Sequence, residues 1–141
     1  MWPESPVTAD PAGGGALAGV RVVELGQYIS GPYAAKILAD LGADVVKVES
    51  PEGDPMRRWE GRATMSPQFA AYNRGKRSVV LDLKDRADRE RLLALVDDAD
   101  IVIDNFRPGV TDRLGIGEAV ARARNPKLVY VSLTGFGAVG P

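Results

Sequence analysis

A basic segment, residues 73–84, contains the side chains best suited to binding an anion. Arg74, Lys76 and Arg77 lie on a loop that contains glycine, and the apolar run that follows ends in an Asp and a Lys. Cations beside turning backbone suit phosphate oxygens, because charge and free N–H groups converge on one anion. The alternative is a solvated basic loop with no ligand. On their own, these residues leave both interpretations open.

The same character recurs wherever a strand is predicted to end. Five apolar runs are followed by polar or glycine-rich residues, at 26–32, 49–54, 82–85, 105–109 and 134–137. In open parallel sheets, ligands bind beyond the carboxyl ends of the strands. Loops also use Gly, Asn and Pro for turn geometry alone. The recurrence nevertheless favours a ligand-binding edge.

Two arginines follow the fourth of these runs. Arg107 lies in a predicted strand-to-helix turn, and Arg113 comes shortly after it. Both could reach an anion held over the strand ends. The alternative for Arg113 is a local ion pair with Asp112 or Glu118.

Familiar nucleotide motifs do not fit this chain. Gly26 and Gly31 do not form the G-x-G-x-x-G fingerprint of a nicotinamide site, and no P-loop is present. Glu24 and Glu49, each at the end of a predicted strand, are interpreted as carboxylates with structural partners.

Composition excludes several kinds of chemistry. The 141 residues are 45% hydrophobic, which suits one globular domain, and the net charge of −1 favours neither nucleic acid nor an anionic membrane. With no Cys and no His, the chain cannot supply a thiolate nucleophile, a serine triad or a zinc-water site. We predict no metal site. Acid–base work would fall to Asp, Glu, Lys or Tyr.

The first 18 residues are rich in Pro, Gly and Ala and lack the basic start and apolar core of a signal peptide. We expect residues 1–18 to be a disordered leader, followed by one domain over 19–141. No apolar run approaches the length of a membrane span. A cytoplasmic location is the simplest expectation.

Alternating strands and helices position these candidate residues. Residues 20–25 predict a strand, Ser30-Gly31-Pro32 opens a helix that stops at Gly42, and residues 43–49 predict a second strand. This βαβ unit implies a parallel sheet. Later elements complete an α/β fold with a mostly parallel, Rossmann-like sheet and flanking helices. They are a long loop over 50–72, strands at 78–83, 100–104 and 128–133, a helix capped by Asp85 with Asp88 three residues on, and a helix near 118–124.

Several motifs occur in a fixed order and together resemble one family. The chain resembles the amino-terminal part of the class III CoA-transferases, the family of formyl-CoA transferase, carnitine CoA-transferase and α-methylacyl-CoA racemase. The motifs are Gly31-Pro32, residues 38–49 (LADLGADVVKVE), 73–78 (NRGKRS) with 81–84 (LDLK), 105–109 (NFRPG) with Leu114-Gly115, 125–130 (NPKLVY) and 135–137 (GFG).

The resemblance implies a Rossmann-like large domain that binds coenzyme A, incomplete here relative to the family. It implies acyl-CoA and a carboxylic acid as substrates, and a homodimer of two interlocked chains. In the transferases an Asp attacks the acyl-CoA thioester, and that Asp lies beyond residue 141. The residues implied to border the CoA nucleotide are Ile29, Ser30, Leu81, Asp82, Leu83, Lys84, Asn105, Phe106, Arg107 and Arg113.

Besides the nucleophilic Asp beyond residue 141, one departure qualifies the resemblance. Many relatives place an Arg directly after the second strand's acid, where this chain has Ser50, so one phosphate contact is in doubt and Arg57 or Arg58 could replace it. The long linker over 50–72 resembles the transferases more than the racemases. We therefore expect an amino-terminal fragment of a CoA-transferase that holds part of the CoA site, contains no catalytic residue and is inert alone. A racemase fragment or a non-catalytic CoA-binding module are the alternatives.

Overall fold

The computed structural model describes Trp2, residues 14–61 and residues 65–137. A 3-10 segment spans Pro55–Gly61, and its backbone is not helical from Arg58 to Glu60. The other elements, in chain order, are β1 (Arg21–Glu24), α1 (Ser30–Asp40), β2 (Asp44–Glu49), α2 (Pro67–Asn73), β3 (Arg77–Val80), α3 (Arg86–Asp97), β4 (Ile101–Asp104), α4 (Val110–Arg113), α5 (Glu118–Arg124) and β5 (Val129–Ser132).

The five strands form one sheet in the order β3-β2-β1-β4-β5, and every neighbouring pair is parallel. This confirms the predicted α/β fold with a parallel sheet. The chain moves outward from β1 to β3 and then crosses back to place β4 on the other side of β1. All five carboxyl ends therefore lie along one edge, with a topological switch point between β1 and β4. Ligands of open α/β sheets bind at such a point.

Helices cover both faces of the sheet, because buried parallel strands expose apolar side chains to both sides. Val22 and Val45 point to the face covered by α1, where they pack with Ala35. Val23 and Val46 point to the opposite face, where Leu92 of α3 and Ala121 of α5 complete the core. Apolar side chains on both faces of the central strands thus hold the sheet between its helices. The ends of the strands are left to form the site.

Local signals in the sequence account for most helix ends. The Asp85 carboxylate accepts a hydrogen bond from the Asp88 N–H at 3.1 Å, so the predicted cap of α3 is confirmed. Gly42 has a φ of +101° just after α1, which confirms it as the predicted stop.

The predicted long loop over residues 50–72 was wrong. It contains the 3-10 segment and α2, whose first turn is capped by Ser66: the hydroxyl accepts from the Phe69 N–H at 3.0 Å and donates to the Met56 carbonyl at 2.6 Å. Both elements are only 7 residues long, too short to show a clear hydrophobic period. The Ser-Pro pair at 66–67 was the available signal, since a capping Ser before Pro is a common helix start.

The predicted leader is only partly described. Residue 1 and residues 3–13 lie outside the described residues. The Leu17 N–H donates to the Leu41 carbonyl at 2.9 Å, and the Trp2 indole donates to Asp44 at 2.6 Å. Within the described ranges, no helix combines the length and apolar character needed to cross a bilayer.

Candidate functional site

Among the described residues, several grooves lie along the carboxyl edge of the sheet, and three of them that adjoin one another are described here. The first, called here the central groove, has a volume of about 260 Å³ and lies over the ends of β1, β2 and β3. Apolar side chains form much of its wall, and the backbone of the β3–α3 loop runs along it. Its lining includes Leu25, Gln27, Ser50, Leu81, Asp82, Leu83, Lys84 and Phe106.

The other two grooves flank the first. The loop groove, about 440 Å³, lies between the β1–α1 loop and the end of β4, and is lined by residues 27–30 and 105–107. The basic groove, about 580 Å³, lies between the start of α3 and α4. Its lining includes Lys84, Arg86, Arg89 and Arg113, together with Glu90 and Asp112.

Every residue implied by the resemblance lines at least one of these grooves. Leu81, Asp82, Leu83 and Lys84 border the central groove, while Arg113 borders the basic groove. The remaining five border the loop groove: Ile29, Ser30, Asn105, Phe106 and Arg107. Phe106 and Lys84 each border two grooves, so the three are continuous.

Arg107 and Arg113 are exposed, and neither guanidinium has an ion-pair partner among residues 14–61 and 65–137. Neither local pair considered for Arg113, with Asp112 or with Glu118, is found among the described residues, and Glu118 instead accepts from Arg122 at 2.7 Å along α5. Arg89, by contrast, donates to the carbonyls of Leu83 and Lys84 at 3.1 and 2.8 Å. Arg89 therefore fixes the backbone of the central groove, and the other arginines keep their charge available.

The β1–α1 loop holds a lining residue that the sequence reasoning missed. Gln27 borders both the central and the loop groove, beside the switch point. The side chain of Asn105 binds its backbone twice, accepting from the Gln27 N–H at 2.8 Å and donating to the Gln27 carbonyl at 2.7 Å. Asn105 also donates to the Ser30 hydroxyl at 3.0 Å. The position of Gln27 just beyond a strand end, between Gly26 and Ser30, was the available signal.

Glu49 has the structural partners that its interpretation required. Arg57 donates to both carboxylate oxygens at 2.6 Å, Ser78 donates at 2.6 Å, and the Asp54 N–H donates at 3.0 Å. Burial alone would raise the pKa of Glu49, but these hydrogen bonds outweigh it and lower the pKa to about 2. Arg57 also lies over the Phe69 ring, 4.0 Å from its centroid. It is thus the ion-pair partner of Glu49, not a free cation beside Ser50.

The basic loop does not form the anion site considered for it. Lys76 is buried and donates to Glu24, Asn73 and the Pro32 carbonyl at 3.0, 2.8 and 2.7 Å. Burial lowers its pKa to about 8 even though Glu24 acts in the opposite direction. Arg77 pairs with Asp44, and Arg74 with Asp40. Each of the three cations thus has a carboxylate partner within the chain, so these cations serve the structure. The solvated alternative is also wrong for Lys76.

The acid at the end of β4 has a different environment. Asp104 is 2% exposed, and its Oδ1 accepts from the Phe106 N–H at 3.0 Å and, weakly, from Ser132 at 3.5 Å. Its Oδ2 makes no hydrogen bond of good geometry with any described residue, although the Tyr130 hydroxyl is a neighbour. Burial raises the pKa of Asp104, and burial raises the pKa of Tyr130 as well.

Comparison with known proteins shows the family to which the chain belongs. The chain is 44% identical over 134 residues to the succinate–glutarate CoA-transferase of Agrobacterium fabrum, covering 89% of this chain and 34% of that protein. It is 43% identical over 129 residues to the acetyl-CoA:oxalate CoA-transferase of Acetobacter aceti, covering 90% and 33%. A solved CAIB/BAIF family protein from Brucella suis matches with a TM-score of 0.87 at 45% identity, covering 92% of this chain and 36% of that one.

The chain thus spans about a third of the length of these relatives. The family model described as CoA-transferase family III matches residues 17–141, nearly the whole sequence. This protein belongs to CoA-transferase family III.

Proposed function

We propose that this chain forms the coenzyme A-binding edge of an acyl-CoA:carboxylate CoA-transferase. One observation carries the proposal: ten residues drawn from four separate segments line three continuous grooves at the switch point of the sheet. The names of the relatives, which include succinate–glutarate and acetyl-CoA:oxalate CoA-transferases, favour the transferase over the racemase.

Each groove suits one part of coenzyme A. The central groove offers Leu81 and Phe106 to the faces of an adenine ring, and the backbone of residues 81–84 can hydrogen-bond its edge. The basic groove offers Lys84 and Arg113 to phosphate oxygens. Arginine suits this task because its planar guanidinium binds two phosphate oxygens at once. Arg107, in the loop groove, would neutralise the phosphates that lead toward the thiol arm.

The acid that attacks the thioester would come from elsewhere in the protein, as the resemblance implies. The described residues would then bind and orient acyl-CoA without completing the exchange with a carboxylate. The interlocked homodimer implied by the resemblance belongs to the same proposal.

Titration of the purified chain with CoA and with dephospho-CoA, followed by calorimetry, tests this function. We expect CoA to bind, and Arg107→Ala plus Arg113→Ala to weaken binding at least tenfold, because two phosphate contacts are lost. Arg113→Ala alone should reduce the preference for CoA over dephospho-CoA, since that preference reports the ribose phosphate.

The matched control is Arg122→Ala plus Lys127→Ala, which removes the same charge from exposed residues that border none of the three grooves. Its affinity for CoA should stay within twofold of the unaltered chain. Failure of the unaltered, folded chain to bind CoA would contradict the proposal. So would equal losses in the two double variants, because the effect would then come from net charge alone.

A further inference from the structure

Three consecutive residues of the β1–α1 loop are each held by a side chain from another part of the chain. The Gly26 carbonyl accepts from Lys47 at 2.7 Å, and the Tyr28 N–H donates to Asp54 at 3.3 Å. Between them, Asn105 binds both the N–H and the carbonyl of Gln27. Hydrogen bonds from side chains thus hold this part of the loop, which belongs to no helix or strand.

Two of these side chains belong to a buried network of four charges. Lys47 lies 3.1 Å from Glu24 and 2.9 Å from Asp54, and Glu24 in turn lies 3.0 Å from Lys76. All four side chains are at most 2% exposed. The Lys47 ammonium also donates a hydrogen bond to the Gly26 carbonyl, so it contacts three oxygens in all. Two cations and two carboxylates leave the network electrically balanced.

Stability alone does not explain such a network. Replacing a buried ion pair by apolar residues of similar size is often neutral or stabilising, because removing charges from water is costly. What the network does achieve is a defined loop conformation. Tyr28 has a φ of +62°, in the left-handed region that a bulky residue seldom adopts. A Cβ at Gly26 would lie 2.8 Å from the Gly31 Cα, so the loop also passes close to the start of α1.

We propose that Lys47 and Asp54 are positioning residues for coenzyme A, which hold residues 26–28 in the conformation that shapes the central and loop grooves. The inference rests on the proposed function, because it assigns these grooves to CoA. Gln27 borders both grooves, and Tyr28, Ile29 and Ser30 border the loop groove. A loop that sampled other conformations would bind CoA more weakly, since ordering it would then oppose binding.

The test compares the chain with its Lys47→Met plus Asp54→Asn variant. This change removes one charge of each sign and keeps the Glu24–Lys76 pair, so no buried charge is left alone. We expect CoA to bind at least tenfold more weakly. We also expect hydrogen exchange at the amides of Gln27 and Tyr28, measured without CoA, to be at least tenfold faster. The matched control is Arg122→Met plus Glu118→Gln, which removes an exposed pair within α5 that borders none of the three grooves and should change neither measurement.

The two measurements separate the possible failures. If the unaltered chain does not bind CoA, the proposed function fails, and the exchange rates still decide whether the network orders the loop. A folded variant with unchanged exchange at residues 27 and 28 overturns the inference, whatever its affinity. Should the double variant fail to fold by circular dichroism, Asp54→Ala alone takes its place, because it removes the acceptor of the Tyr28 N–H and keeps the Lys47–Glu24 pair. Its expected effects are about threefold, and wild-type values for both measurements would overturn the inference.

Discussion

The ends of β2 and β4 present the same sequence pattern in opposite environments. Each strand finishes in a buried acid after β-branched residues, Glu49 in one and Asp104 in the other. Glu49 is bound by the two-pronged Arg57, by Ser78 and by a backbone N–H. Asp104 has one good hydrogen bond, from the Phe106 N–H, and no cation among the described residues pairs with it.

This difference divides the carboxyl edge of the sheet into two parts. Around β1 and β2, cations within the chain neutralise Glu24 and Glu49 and fix the loops that follow. At β4, an acid with a raised pKa lies directly before the Asn105–Arg107 loop. A buried carboxylate is therefore stabilising or destabilising according to its partners, and the strand that carries it does not decide which.

The largest effect is expected for Lys47→Met. The change leaves Glu24 and Asp54 buried with fewer partners, which typically costs about 3–5 kcal/mol in the free energy of unfolding. Urea denaturation at pH 7 measures it. In contrast, Arg124→Met should cost less than about 1 kcal/mol, because its partner Asp97 is exposed to water. Equal costs for the two variants would show that burial does not distinguish the pairs.

A smaller effect on the free energy of unfolding is expected when the pH is lowered until Glu49 is protonated. Its pKa is about 2 in the folded chain against 4.5 unfolded, so its stabilisation is complete above pH 4.5 and is lost as the pH falls toward 2. At about 1.4 kcal/mol per pKa unit, the loss is about 3 kcal/mol. Glu49→Gln should flatten this part of the curve of unfolding free energy against pH. If the variant loses as much stability as the unaltered chain between pH 4.5 and pH 2, the loss comes from other carboxylates.

Periodicity and strand-end chemistry predicted the fold and the edge of the sheet along which the grooves lie. Short β-branched runs such as residues 43–49 read as buried strands, and their alternation with helices required a parallel sheet. The carboxyl ends then had to meet at one edge. Glu24 and Glu49 were interpreted as structural acids because each stood at a strand end, and their partners confirm it.

The partners themselves could not be predicted. Lys76 reaches Glu24 across 52 positions of sequence, and only the packing of α2 beside α1 brings the two together. In the sequence, Lys76 is one of three cations on a polar loop, and nothing marks it as buried. The 3-10 segment and α2 were missed for a related reason, since short elements are fixed by tertiary contacts more than by local pattern.

The smallest effect is expected at the other end of the comparison, for Asp104→Asn. Because burial raises the pKa of Asp104 above its unfolded value of 3.8, the folded chain holds this proton more tightly, and stability falls as the pH rises through the raised pKa. Once ionised, the acid is a buried charge, and one of its oxygens lacks a good hydrogen bond. Asn keeps an acceptor for the Phe106 N–H and removes that charge.

The free energy of unfolding of the Asn variant at pH 7 should consequently rise by about 1 kcal/mol, opposite in sign to the effect of Glu49→Gln. Denaturation of both variants at pH 5 and pH 7 checks the pair of signs. A loss of stability in Asp104→Asn comparable to that in Glu49→Gln would mean that the β4 acid is as well partnered as the β2 acid. The division of the edge into a neutralised part and an uncompensated part would then not hold.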